Sequence, residues 1–127
     1  LSMPTSLADD FRAARAYKGK LYLLVHESTS SVGTDIWSVP LGATALPVTA
    51  TLEASIPNET FCSGLAVDDN DFYVACSTGT RLIRVSRSAP QTTTVITTQI
   101  PFNGITNSLH AVDSNSDGTA DALYAKS

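Results

Sequence analysis

Short apolar runs alternate with clusters of Gly, Asn, Asp, Ser and Pro along almost the whole chain. Nine runs have the length and the β-branched or aromatic content of strands, and turn-forming residues follow them. They are residues 20–27, 34–41, 47–54, 63–68, 71–77, 81–87, 92–100, 108–113 and 120–126. Only residues 6–16 offer a helical pattern, and an irregular lead-in to a strand fits them as well. The pattern therefore predicts an all-β chain.

The runs repeat. The pairs Leu21-Tyr22, Phe72-Tyr73 and Leu123-Tyr124 start at positions 21, 72 and 123, an even interval of 51 residues, and each opens an apolar run after a turn. A third strand and then a Thr-rich fourth follow the first two pairs. The sequence therefore predicts a four-stranded antiparallel meander of about fifty residues, present in about two and a half copies.

This repeat has a family resemblance. Residues 64–87, GLAVDDNDFYVACSTGTRLIRVSR, resemble a blade of the NHL and lactonase-like β-propellers, and residues 18–42 are similar to two strands of another blade. The resemblance implies the following division of a propeller segment over residues 1–127: a lead-in at 1–16, blades at 17–55 and 56–99, and a partial blade at 100–127. A small β-sandwich built from the same strands is the alternative.

The number of copies raises a question of closure. Propellers close with about four to eight blades, whereas this chain has material for two or three. An open stack leaves sheet faces and strand edges uncovered. We therefore expect the chain to be completed by the remainder of a propeller, by a second chain or by copies of itself.

The last turn, in VDSNSDGTADALY, carries candidate metal ligands. Oxygen donors stand there at the spacing of a calcium loop: Asp113, Asn115, Asp117, the Thr119 carbonyl and Asp121. An EF-hand is disfavoured, because its bidentate Glu is replaced by Tyr124. The segment resembles instead the loop D-x-[DN]-x-DG-x-x-D of integrin-type FG-GAP repeats, which implies bound Ca²⁺. The alternative is an Asx-rich turn whose side chains accept hydrogen bonds from backbone N–H groups.

The two cysteines flank a predicted hairpin. If its turn is centred on Asp69 and Asn70, Val67 faces Phe72 and the cysteines Cys62 and Cys76 lie almost opposite each other. That placement predicts a disulfide bond, although two buried thiols also fit. An even number of cysteines is typical of an oxidising compartment, so we expect an extracytoplasmic protein that is secreted, periplasmic or on the cell surface.

Charge and motifs limit the function. Twelve acidic and eight mostly scattered basic residues give a net charge of −4, which disfavours nucleic-acid binding, and no apolar run is long enough to insert into a membrane. No catalytic residues are predicted. We expect a non-catalytic, calcium-stabilised propeller module for protein or glycan recognition. The alternative is part of an enzymatic propeller, a lactonase- or lyase-like hydrolase with a central metal near His110.

Overall fold

A computed structural model gives the structure of residues 11–26, 33–45, 47–59, 61–76, 81–97 and 109–125. This part of the chain forms ten strands: β1 Phe11–Tyr17, β2 Lys20–His26, β3 Gly33–Pro40, β4 Thr51–Pro57, β5 Gly64–Val67, β6 Asp71–Cys76, β7 Arg81–Ser86, β8 Thr93–Thr97, β9 Leu109–Val112 and β10 Ala122–Ala125. None of the described residues forms a helix long and apolar enough to cross a membrane.

The strands pair in chain order. Strands β1 to β4 form the first sheet, β5 to β8 the second, and β9 with β10 a two-stranded hairpin, and every pairing is antiparallel. The predicted all-β chain of antiparallel meanders is confirmed for the described residues. Parts of the predicted segments lie outside them, including 1–10 of the lead-in and 100–108 of the partial blade.

The helical alternative for residues 6–16 is wrong for their described part, because β1 is a strand. Its residues alternate, with Ala13, Arg15 and Tyr17 half-buried and the residues between them exposed. The strand belongs to the first sheet rather than to a lead-in. The fourth strand also starts later than predicted, at Thr51, and Pro47 has no N–H to donate to a ladder there.

The sheets stack face to face. One apolar core lies between the first and second sheets: Tyr22, Leu24, Ile36, Ala54 and Ile56 from the first, and Leu65, Val67, Phe72, Val74, Cys76, Ile83 and Val85 from the second, with Cys62 beside them. The rings of Tyr22 and Phe72 meet edge to face at its centre, with centroids 5.4 Å apart. The predicted disulfide between Cys62 and Cys76 is present, and it ties the entry of β5 to the end of β6.

The opposite face of the second sheet packs on the hairpin. Buried there are Ala66, Tyr73, Ala75, Leu82 and Leu109, with Ala111, Ala120 and Leu123 packed against them. The first strands of the three units, β1, β5 and β9, therefore lie side by side. Arg15 on β1 joins them, because its Nε donates to the carbonyl oxygens of Leu65 at 2.8 Å and of Leu109 at 3.1 Å. The three units form one stack in chain order.

Candidate calcium loop

The loop at 113–121 closes the hairpin of β9 and β10. Its base is fixed by the pair Val112–Ala122 and by the Asp121 N–H, which donates to the Val112 carbonyl at 2.8 Å. Ser116 and Gly118 have φ of 61° and 90°, in the left-handed region. Gly tolerates that region without a Cβ penalty, so it allows the tight turn that the sequence pattern requires.

The first two predicted ligands converge inside this loop. Asp113 Oδ1 and Asn115 Oδ1 both accept from the backbone N–H of Asp117, at 3.2 and 3.1 Å. Asp113 Oδ2 accepts from the N–H of Gly118 at 2.7 Å. The oxygens at positions 1 and 3 of the pattern therefore meet at the amide of position 5.

Asp117 belongs to the same network. Its Oδ1 accepts from the N–H of Thr119 at 2.8 Å, and its Oδ2 accepts from Asn115 Nδ2 at 3.1 Å. A carboxylate offers about four lone-pair sites, so these single hydrogen bonds leave room for further partners. The structure thus brings the side chains of Asp113, Asn115 and Asp117 together.

The other two predicted ligands have different surroundings. Asp121 Oδ2 accepts from Ser114 twice, from the hydroxyl at 2.5 Å and from the N–H at 2.8 Å. Those hydrogen bonds lower the pKa of the Asp121 carboxyl below its ordinary value of 3.8. The Thr119 hydroxyl accepts from Asn70 Nδ2 at 2.9 Å. Asp121 is held by Ser114, and Thr119 contacts the second sheet's turn.

The donor set can be compared with what calcium requires. Calcium takes six to eight hard oxygen ligands, and the side chains of Asp113, Asn115 and Asp117 supply such oxygens from one turn. Within the described residues, no group of three or more His, Cys, Asp or Glu side chains is placed to hold a metal ion. The side-chain oxygens at positions 1, 3 and 5 are of the kind that calcium binds. One oxygen of Asp121, in contrast, already accepts hydrogen bonds from Ser114. The hydrogen bonds of the Asx-rich alternative are also present.

The loop is bonded to the turn at residues 68–70, which connects β5 with β6. The N–H of Asp69 donates to the Gly118 carbonyl at 2.8 Å, and the N–H of Ala120 donates to Asp68 Oδ2 at 2.9 Å. With the contact between Asn70 and Thr119, three hydrogen bonds join loop and turn. The sequence predicted a hairpin turn centred on Asp69 and Asn70, and it gave no sign that this turn supports the neighbouring loop.

Asp68 is the most enclosed carboxylate of this region, at 2% exposure. Its Oδ1 accepts from the N–H groups of Asn70 at 2.8 Å and Asp71 at 2.7 Å, and its Oδ2 accepts from the Tyr73 hydroxyl at 2.9 Å as well as from Ala120. Burial and the hydrogen bond to Asp68 raise the pKa of Tyr73. The Asp68 carboxylate is therefore satisfied by protein donors and caps its own turn.

Asp69 connects all three turns at this end of the stack. Lys18 Nζ contacts both of its carboxylate oxygens, at 2.5 and 2.7 Å, and the Tyr17 hydroxyl donates to it at 2.6 Å. Those two donors lower the pKa of Asp69. A Cβ at Gly118 would lie 2.0 Å from Asp69 Oδ2, so the side chain of Asp69 fits only because Gly118 has none.

Two cavities lie beside these turns. One cavity, of about 300 Å³, lies between the loop at 113–121 and the turn that connects β1 with β2. Its lining includes Tyr17, Lys18, Asp113 and Ser116. A second, of about 180 Å³, lies beside Arg15 and His110, among residues of β1, β5 and β9. His110 is exposed on β9, and the enzymatic alternative stays a prediction.

No family model, no curated protein and no solved structure matches this chain.

Proposed function

We propose that the chain is a non-catalytic recognition module whose sheets are successive blades of a β-propeller-type stack, and that residues 113–121 are its calcium-responsive clip. The observation that carries the proposal is the meeting of Asp113 and Asn115 oxygens at one amide, in a loop that is itself bonded to the second sheet. Asp113, Asn115 and Asp117 would hold the ion.

Calcium would supply positive charge where two carboxylates share one turn. Without it, Asp113 and Asp117 carry like charges in the same hydrogen-bonded network, which disfavours the folded loop. The loop is bonded to Asp68, Asp69 and Asn70, so stiffening it also stiffens the contact between the hairpin and the second sheet. Calcium binding is thereby coupled to folding.

The propeller assignment is supported by three agreeing features. The sequence repeats at an interval of 51 residues between positions 21, 72 and 123, the sheets stack in chain order, and β1, β5 and β9 lie side by side. Each four-stranded sheet is a meander whose first strand lies at one edge and belongs to this row. Such an arrangement is what successive blades require.

Recognition is supported by the surface at the turn end. The residues that line the cavity of about 300 Å³ include Tyr17, Lys18, Asp113 and Ser116, which carry polar or charged side chains. Such groups suit a polar ligand such as a glycan or a protein loop. The disulfide supports an extracytoplasmic location, because disulfides persist in oxidising compartments.

Calorimetry on metal-stripped protein tests the calcium proposal. We expect calcium to bind and magnesium to bind more weakly, because magnesium demands a stricter octahedral shell. Asp117→Ala should abolish the binding heat. His110→Ala is the matched control and should bind as the wild type does, since imidazole is a poor ligand for so hard an ion. Absence of calcium binding at millimolar concentration would contradict the proposal and leave the Asx-rich turn.

A further inference from the structure

Strand β10 has one neighbour where its counterparts have two. The repeat pairs Leu21-Tyr22, Phe72-Tyr73 and Leu123-Tyr124 lie in β2, β6 and β10, so these three strands occupy the same place in their units. In the sheets, β2 lies between β1 and β3, and β6 lies between β5 and β7. Among the described strands, β10 pairs with β9 alone. An unpaired strand edge offers backbone N–H and C=O groups to a further strand.

The burial of β10 differs from that of its counterparts in the same way. Five of the six residues of β6 are buried, whereas none of the four residues of β10 is. Tyr22 and Tyr73 are 1% and 7% exposed, and Tyr124 is 62% exposed. The face of β10 toward the second sheet is occupied, since Leu123 packs there. The exposure of β10 therefore lies at its edge and on the face that carries Tyr124.

The neighbour of β6 shows what a strand at this edge contains. In β7, Val85 lies opposite Phe72, the first residue of the repeat pair. Arg84 lies opposite Tyr73. The residue before it, Ile83, is fully buried. Residues 83 to 85 of β7 are thus an apolar residue, a polar residue and a valine.

The neighbour of β2 has the same order. In β3, Val39 lies opposite Leu21, again the first residue of the repeat pair. Ser38 lies opposite Tyr22, and Trp37 precedes it in the strand. The two strands that already occupy this position therefore share one pattern in one register.

We propose that the edge of β10 that faces away from β9 binds an extended segment of a partner polypeptide, antiparallel to β10, with an apolar residue, a polar residue and a valine in succession. The valine lies opposite Leu123, the polar residue opposite Tyr124 and the apolar residue opposite Ala125. Main-chain hydrogen bonds supply affinity, and the alternate apolar side chains supply specificity. The proposal rests on the repeat that the proposed function also uses, and it requires no calcium.

A second folded copy of the described sheets does not supply this segment. Strands β3 and β7 carry the pattern, but each already pairs on both edges, β3 with β2 and β4, and β7 with β6 and β8. The strands at the edges of the described sheets are β1, β4, β5, β8, β9 and β10. None of them contains an apolar residue, a polar residue and a valine in succession. A partner polypeptide is therefore the occupant that fits.

The other strand edges of the described residues differ from that of β10. Strands β4 and β8 are the last strands of four-stranded sheets, and the repeat predicts no strand beyond them. The outer edge of β9 lies in the row with β1 and β5, where its Leu109 carbonyl accepts from Arg15. Strands β4 and β8 therefore serve as internal comparisons for β10.

An NMR titration of isotope-labelled protein with the peptide of residues 81–87, RLIRVSR, tests the proposal with chelator present. We expect binding, with amide shifts at Leu123, Tyr124 and Ala125 and none in β4 or β8. The matched control peptide carries Ile83→Asp and Val85→Asp. It should bind at least about tenfold more weakly, because a carboxylate opposite Leu123 would be buried without a partner.

Disulfide trapping tests the register. The pair of Tyr73 with Arg84 has its counterpart in Tyr124→Cys of the protein with Arg84→Cys of the peptide, and we expect these two cysteines to cross-link. Phe61→Cys is the control variant, because Phe61 is 61% exposed and lies outside β10. It should cross-link to the same peptide more slowly. Circular dichroism establishes that both variants are folded, and the titration of the wild type decides if one is not.

Several results would overturn the proposal. They are no binding at millimolar peptide, equal binding of the control peptide, shifts centred on β4 or β8, and cross-linking of Phe61→Cys as fast as that of Tyr124→Cys. A wild type that sediments as a dimer, with β10 amide signals that change with protein concentration, would show a second copy at this edge and would also overturn it. Because chelator is present, none of these results bears on calcium binding, which calorimetry measures separately.

Discussion

The turn at 68–70 and the loop at 113–121 begin alike and end differently. Each starts with an aspartate directly after the first strand of its unit, Asp68 after β5 and Asp113 after β9. Asp68 is buried and accepts four hydrogen bonds, one of them from the other loop, whereas Asp113 is half-exposed and accepts from two amides of its own loop. The same residue at the same place is a cap in one unit and a candidate ion ligand in the next.

Loop length accounts for the difference. Only Asp69 and Asn70 separate Asp68 from the next strand, so its carboxylate reaches the amides of that strand's start. The longer loop after β9 curls back on itself and supplies further oxygens, such as those of Asn115 and Asp117. The lengthened turn is therefore what brings additional oxygens close to Asp113.

The largest effect should come from removing Asp68. Asp68→Ala removes the acceptor of the part-buried N–H groups of Asn70, Asp71 and Ala120 and of the buried Tyr73 hydroxyl, and we expect a loss of about 3 kcal/mol or more in the free energy of unfolding. Asp113→Ala in metal-free protein should cost about 1 kcal/mol, because it removes the acceptor of two N–H groups instead of four donors and one of them, that of Asp117, is exposed. Urea denaturation measures the free energy of unfolding of both variants. Equal losses would contradict the different roles assigned to the two aspartates.

Gly118 and Gly19 provide the second, smaller contrast. Both have positive φ, 90° and 81°, but a Cβ at Gly19 meets nothing within 4 Å, whereas at Gly118 it meets Asp69. Gly19→Ala should cost about 1 kcal/mol from backbone strain alone. Gly118→Ala should cost about 2 to 3 kcal/mol, since Asp69 must also move. If the two variants have the same denaturation midpoint, the close contact between Gly118 and Asp69 does not constrain the folded protein.

The smallest expected effect is the dependence of stability on pH through Asp69. The pKa of Asp69 lies below its ordinary 3.8 because Lys18 and Tyr17 donate to it. A lowered folded-state pKa stabilises the protein above the unfolded value, and that contribution is lost as the pH falls through the folded value. Asp69→Asn should therefore be less stable than the wild type at neutral pH and should approach it as the pH falls below 3.8 and through the lower folded-state pKa. Thermal unfolding between pH 7 and 2 measures the gap, and a gap that stays constant would refute the assigned role.

The sequence predicted those features that depend on local pattern. Alternation and turn residues located the two meanders, and the hairpin register, with Val67 opposite Phe72, predicted the bond between Cys62 and Cys76 correctly. Strand β1 was missed, since its alternation of small and charged residues resembles a helix start. The hydrogen bonds of Arg15 and Asp68 to neighbouring units were also missed. Their partners lie 50 to 94 residues away in the sequence and come close only because the units stack.

Hydrogen exchange with and without calcium tests most directly the claim that the loop is an ion-dependent clip between hairpin and second sheet. On adding calcium to metal-stripped protein, exchange should slow at the amides of Gly118 and Thr119 and also across the contact, at Asp69. The Leu41 amide, which donates to Gly19 in the first sheet, is the internal control and should not change. Unchanged exchange at Gly118 and Asp69, or equal slowing at Leu41, would contradict the account.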